Sequence, residues 1–139
     1  MIILQNQIFM TALAGWLAAQ IIKCVINTLQ TKKFSLEILF SSGGMPSSHT
    51  AIAVAMATKV GIVEGFDSTF FAIAAVFSCV VIYDAMGVRR QAGKHAQIIN
   101  ILTKNWPSTP NLKELLGHKP IEVVFGVFLG IAVAFISAI

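Results

Sequence analysis

Three clusters of residues in this chain carry side chains able to do chemistry. The first is Gly43-Gly44-Met45-Pro46-Ser47-Ser48-His49, which leads straight into an apolar run beginning at Ser48. A helix that starts there aims its unsatisfied amides and the positive end of its dipole at the preceding loop, which makes an anion site. Taken alone, Ser47 or Ser48 reads as the N-cap of that helix. His49 lies in its first turn, where an ionisable group is costly unless it has a task or a partner. The second cluster is His118 and Glu122, four residues apart at the start of another apolar run. That spacing puts the carboxylate one helical turn from the imidazole, within reach of a ring N–H, so it can set the tautomer. The dipole at a helix start would also favour Glu122, and orienting the histidine is the stronger reading. The third is Asp84 with Arg89 and Arg90, a short acidic and basic group at the end of a third apolar run.

These clusters must be positioned by elements suited to lipid. Of 139 residues, 56% are hydrophobic and 12% charged, well away from the balance of a soluble domain. Several apolar runs approach the roughly 20 residues that cross a hydrocarbon core as helix. The expected fold is all-α: one domain, an integral membrane bundle of about four transmembrane helices, with an interfacial loop region carrying the site.

The first span runs from about Ile8 to Leu29 and places Gln20, Lys23 and Asn27 toward its end. It lacks the basic opening and cleavage site of a secretory signal, so it should be retained. The second runs from Ser48 to the Glu64-Gly65 turn, with Lys59 near its end and able to snorkel. The third extends from Ser68 to Met86, with Gly87 as its stop. The fourth begins near Pro120, a residue suited to a first helical turn.

Two polar connections separate these spans. In the 30–47 connection, Phe34, Leu36, Ile38, Leu39 and Phe40 are apolar enough to dip into the membrane interface. The longer 87–119 connection is expected to hold a short helix over about 92–102, then a turn at Trp106-Pro107-Ser108-Thr109-Pro110. Cys24 and Cys79 fall inside spans, form no C-x-x-C pair and read as packing residues.

Four spans in sequence put both polar connections on one side of the membrane and Glu64 to Asp67 on the other. The first side collects Lys23, Lys32, Lys33, Arg89, Arg90, Lys94, Lys104, Lys113 and Lys119, leaving Lys59 near the opposite face. The positive-inside rule makes the cation-rich side cytoplasmic, although a site built for phosphate would gather cations as well. Net charge is +4, but cations beside membrane spans, with no aromatic platform or groove-reading helix, point to anionic lipid headgroups rather than nucleic acid.

The motifs resemble those of the type 2 phosphatidic acid phosphatases, and more closely a divergent bacterial and plant branch of that superfamily, which also contains vanadium haloperoxidases. Pro46-Ser47-Ser48-His49 is similar to the motif P-S-G-H, with Ser48 in place of Gly. Lys23 resembles the lysine of K-x6-R-P; Gln30 stands at the arginine's spacing, with Lys32 or Lys33 as substitutes. The third motif, S-R-x5-H-x3-D, is split: Arg89 and His95 satisfy its first half but Ile99 stands where the carboxylate belongs, whereas His118 and Glu122 satisfy the second half with Glu for Asp.

The resemblance implies a membrane lipid-phosphate phosphatase that needs no metal or cofactor. His118 would be the nucleophile in preference to His95, which reads as a polar interfacial residue, and His49 the general acid. Lys23, Arg89, Arg90, Gly44, Ser47 and Ser48 would hold the phosphate, with Asp84 supporting the arginines. Phosphatidate, phosphatidylglycerophosphate and polyprenyl phosphates or diphosphates all fit as substrates. A bacterial plasma-membrane location and a homodimer are compatible with the chain. Two other readings stay open: a non-catalytic lipid-phosphate binder or transporter, and a metal site formed by His49, His95 and His118, which lack metal-ligand spacing.

Overall fold

The computed structural model describes residues 2–32, 44–106, 110–114 and 116–137. After a short 3-10 turn at Ile2–Gln5, five helices follow: α1 (Gln7–Thr31), α2 (Ser48–Glu64), α3 (Thr69–Met86), α4 (Val88–Leu102) and α5 (Pro120–Ile136). All regular structure among the described residues is helical. The apolar stretch expected to dip into the interface and most of the Trp106 turn lie outside the described residues.

Local chemistry explains the helix ends. Asn6, Ser47 and Ser68 each occupy an N-cap and accept a hydrogen bond from an amide three residues on, those of Phe9, Thr50 and Phe71. Gly65, at φ 94°, closes α2 in a conformation that suits glycine. Pro120 opens α5, where its missing N–H costs no helical bond.

The bundle is packed inside out relative to a soluble protein. Its interior is built from small side chains, Ala51, Ala53, Ala55 and Ala57 of α2 among them. Large apolar groups face outward: Leu17, Ile21 and Val25 on α1, Phe70, Val76 and Val80 on α3, Phe125, Phe128 and Phe135 on α5. In water so extensive an apolar exterior would drive association; in lipid it is the solvated face. α1 and the apolar run beginning with α3 are long and apolar enough to cross a bilayer. α2 and α5, of 17 residues each, reach about 25 Å, close to the hydrocarbon thickness of about 30 Å.

α2 lies at the centre, against α1, α3 and α5. Glycines allow the backbones to close. A methyl group on Gly126 of α5 would lie 2.7 Å from the Ser47 carbonyl oxygen, and one on Gly130 2.8 Å from that of Ala51. The pair Gly126 and Gly130 forms a G-x-x-x-G stripe, the spacing that lets membrane helices approach closely, and it draws the start of α5 toward the start of α2.

Two expectations need correction. Lys59 does not snorkel: it is 2% exposed, and its Nζ donates to the Ser137 carbonyl at 2.9 Å. An ammonium in apolar surroundings needs an acceptor, and the carbonyl-rich end of α5 supplies one that also carries the negative pole of a helix dipole. The Thr11 and Ser137 hydroxyls are 2.9 Å apart, so the start of α1 and the ends of α2 and α5 meet at one side. Second, α4 begins four residues earlier than expected, because Gly87 interrupts the chain for a single residue. Its amide bonds back to the Tyr83 carbonyl and its own carbonyl accepts from Gln91 in α4. Cys24 is half-buried, Cys79 is exposed, and both are free thiols.

Candidate functional site

At the end of the bundle opposite Lys59, the start of α2, the end of α3, the start of α4 and the start of α5 converge. The chain reaches α5 along a segment moulded to α4. Asn100 grips it at both polar ends of its amide, accepting from the Leu112 N–H at 2.9 Å and donating to the Leu112 carbonyl at 2.9 Å and to Glu114 Oε1 at 2.8 Å. Farther along, Gly117 takes φ 75° with its Cα packed on the backbone of Arg89 and Arg90, leaving no space for a side chain. The His118 amide then donates to the Ala85 carbonyl at 3.0 Å. His118 is thereby fixed against the last turn of α3.

Glu122 completes the arrangement with three separate bonds. Its Oε2 lies 3.1 Å from His118 Nδ1 and accepts from the Lys119 amide at 3.1 Å, as the glutamate of a capping box does. Its backbone carbonyl accepts from the Ser47 amide at 3.0 Å, tying α5 to the cap of α2. The His118 side chain is 1% exposed. Burial pushes its pKa below the usual histidine value, outweighing the Glu122 carboxylate, which acts in the opposite direction. The ring is therefore neutral near pH 7. With Nδ1–H directed to the carboxylate, Nε2 carries the lone pair, and among the described residues this buried atom has no hydrogen-bond partner.

His49 stands beside it, with ring centroids 6.2 Å apart and planes inclined by 58°. Lys23, 3% exposed on α1, runs its stem past Gly44, and its charge acts on both imidazoles and on Glu122. Arg89 Nε donates to Asp84 Oδ2 at 2.7 Å. That bond uses the inner nitrogen of the guanidinium and leaves the planar fork of terminal amino groups for an anion.

The imidazoles line two different cavities. One of about 200 Å³ is bordered by His118, Gly44, Arg90, Lys94, Gly117 and Lys119. The other, of about 250 Å³, is bordered by His49, Asp84, Ala85, Arg89, Val80 and Val81.

The structure therefore gathers His49, His118, Glu122, Lys23, Gly44, Asp84, Arg89 and Arg90 at one end of the bundle. Ser47 and Ser48 are there too, both buried. The Ser47 amide is taken by Glu122, and its hydroxyl oxygen accepts from the Thr50 amide and hydroxyl, so its visible work is capping. His95 is on the exposed surface of α4, outside the lining of both cavities. Lys32 is exposed in the left-handed C-cap of α1, and Lys33 lies outside the described residues. Among the described residues, no three His, Cys, Asp or Glu side chains are placed to hold a metal ion. Sequence reasoning overlooked Asn100, whose role depends on a tertiary contact. It also overlooked the Gly126 and Gly130 stripe, for which the G-x-x-x-G spacing was available as a signal.

An all-helical membrane bundle with a carboxylate-held imidazole, a second imidazole at a helix start and a surround of cations defines a class of membrane protein. Within it, this chain belongs to the Divergent PAP2 family, which matches residues 4–133. It is similar to YuiD of Bacillus subtilis (strain 168), an uncharacterized membrane protein, with 39% identity over 152 residues that cover 98% of this chain and 96% of that protein. No solved structure matches.

Proposed function

We propose that this protein is a membrane lipid-phosphate phosphatase working through a phosphohistidine. The observation that carries the reading is the His118 ring: its Nδ1 is held by Glu122 while its Nε2 is buried, without a hydrogen-bond partner among the described residues, and beside a second histidine. A buried polar atom without a partner costs roughly 1–3 kcal/mol, a cost that a nucleophile awaiting its electrophile explains.

In the first step Nε2 attacks phosphorus in line, the N–P bond forms and the P–O bond to the alkoxide breaks. Protonated His49 gives its proton to the departing oxygen. The proton on Nδ1 stays shared with Glu122, whose charge balances the cationic ring. In the second step water attacks phosphorus from the face the alkoxide vacated, His49 takes its proton, and the P–N bond breaks. Lys23, Arg89 and Arg90, with the opening amides of α2 beyond Gly44, neutralise the equatorial oxygens. Asp84 holds Arg89 in place. Ser47 and Ser48 shape the helix start on which the anion would rest.

A site at one end of a lipid-facing bundle suits a phosphate headgroup whose chains stay in the bilayer. The collection of cations at that end supports a cytoplasmic placement in a bacterial plasma membrane.

The test is phosphate release from a panel of lipid phosphates by purified protein in nanodiscs, compared with His118→Ala and His49→Ala. Loss of release in both variants supports the reading. Equal release by all three proteins removes the histidines from catalysis, and tight lipid-phosphate binding without release favours a binding or transport protein.

A further inference from the structure

The separation of the two cavities says where the carbon skeleton of the substrate must lie. In-line displacement places the attacking and leaving atoms on opposite sides of phosphorus. With His118 attacking, the leaving oxygen and everything attached to it lie on the His49 side. That side is the cavity bordered by Val80, Val81, Asp84, Ala85 and Arg89.

The two cavities differ in character. The one beside His118 is ringed by charged groups of both signs, the cations Arg90, Lys94 and Lys119 and the carboxylates Glu114 and Glu122. The one beside His49 is polar at one end, where Asp84 and Arg89 pair, and apolar at the other, where Val80 and Val81 of α3 form its wall. Val80 is 60% exposed and continues a stripe of α3 that includes Val76, 64% exposed one turn earlier. Residues four apart share a helix face, so the mouth of the cavity merges with the lipid-facing surface of the bundle.

We infer that the lipid chain of the substrate reaches the site across Val80, between the start of α2 and the end of α3, with Val80 and Val81 as the residues that select for it. This rests on the hydrolase reading for the direction of the leaving group. The pathway itself is read from the cavity and the exposed face of α3, and it can be tested without turnover.

Two measurements test it. In the first, the wild-type chain is placed in phosphatidylcholine vesicles containing a phosphatidate with a photoactivatable diazirine near the carbonyl end of one acyl chain, and adducts are mapped by mass spectrometry. Labelling at Val80 or Val81 that excess unlabelled phosphatidate suppresses and excess phosphatidylcholine does not is the expected result. Suppressible labelling confined to α1 or α5, or none anywhere, overturns the pathway.

In the second, Val80→Trp is compared with Val76→Trp as a control on the same lipid-facing stripe, using dioleoyl phosphatidate and the water-soluble dihexanoyl phosphatidate. Val80→Trp should lower long-chain turnover by about tenfold or more beyond whatever it takes from short-chain turnover, and Val76→Trp should change neither. Equal loss on both substrates, or no loss on the long-chain one, counts against the inference. If the wild type releases no phosphate from any substrate yet is labelled at Val80, the hydrolase reading fails and the lipid pathway stands.

Discussion

Glu122 Oε2 lies 3.1 Å from His118 Nδ1 and accepts the Lys119 amide at the same distance, so one carboxylate oxygen both caps α5 and aims the imidazole. Because the Glu122 carbonyl also receives the Ser47 amide, this residue couples the start of α5 to the start of α2, where His49 resides.

Glu122→Gln tests that coupling. The amide keeps the size and the ability to accept, but it loses the charge that balances the ring once phosphorus is attached to Nε2. Phosphate turnover should fall by about 10²–10⁴-fold, the range in which carboxylate partners of catalytic histidines act. KM should change little, since the carboxylate meets the imidazole rather than the substrate. A rise in KM at constant kcat would assign Glu122 to substrate binding instead.

The acid limb of activity should lie below the usual histidine value of 6.5. As the proposed nucleophile His118 must be neutral to attack, and burial depresses its pKa, so the attacking form would be lost only as pH falls through that lowered value. Glu122 raises the pKa, so Glu122→Gln should move the acid limb of kcat/KM to still lower pH even as the rate falls. Folding linkage has the same sign: the unfolded chain binds a proton first, so the stability linked to the neutral ring is complete above pH 6.5 and declines as pH drops toward the folded value. Rate profiles and thermal melts between pH 4 and 8, in the same detergent, would measure both. An acid limb above 6.5 contradicts the burial argument.

Asp84→Asn should separate binding from stability. The Asp84 and Arg89 side chains are 42% and 47% exposed, so the pair contributes under about 1 kcal/mol to folding. On the proposed reading the pair instead holds a planar cation at the His49 cavity. The expected outcome is a rise in KM of about tenfold for a lipid phosphate with a melting temperature within a few degrees of wild type. A large loss of stability with KM unchanged would make the pair structural.

Much of this architecture was legible because helix boundaries are written locally. Ser47 before an apolar run, Glu64-Gly65 after it, Ser68 and Pro120 each satisfy or avoid a backbone donor within four residues, and the helices start and stop there. The His118 and Glu122 pair was equally local, one turn of helix apart. The approach of His49 to His118 has no local cause, and it came from the resemblance of separated motifs. Lys59 was expected at the correct end of the bundle, but its burial was missed because its acceptor, the Ser137 carbonyl, is 78 residues away in the chain. The early start of α4 was missed because Gly87 serves both to end one helix and to open the next. The division of the site into two cavities depends on how α3, α4 and the segment before α5 pack, which no spacing rule encodes.

Gly126→Val gives the sharpest test of how helix packing governs the site. Even a single methyl group at residue 126 would press to within 2.7 Å of the Ser47 carbonyl oxygen and 2.9 Å of Thr50 Cβ, and valine adds two more carbons. Overpacking of this kind costs about 1–3 kcal/mol where the backbone can yield. The yielding direction separates α5 from α2, which stretches the bond from the Ser47 amide to the Glu122 carbonyl and moves His118 away from His49. Activity should therefore fall much more than stability. In contrast, Val124→Ile, at an exposed position on the same helix, should change neither. The comparison needs only phosphate release and a melting curve for each variant, and a Gly126→Val protein with normal turnover would show that the site tolerates a wider gap between the two helix starts than in-line transfer permits.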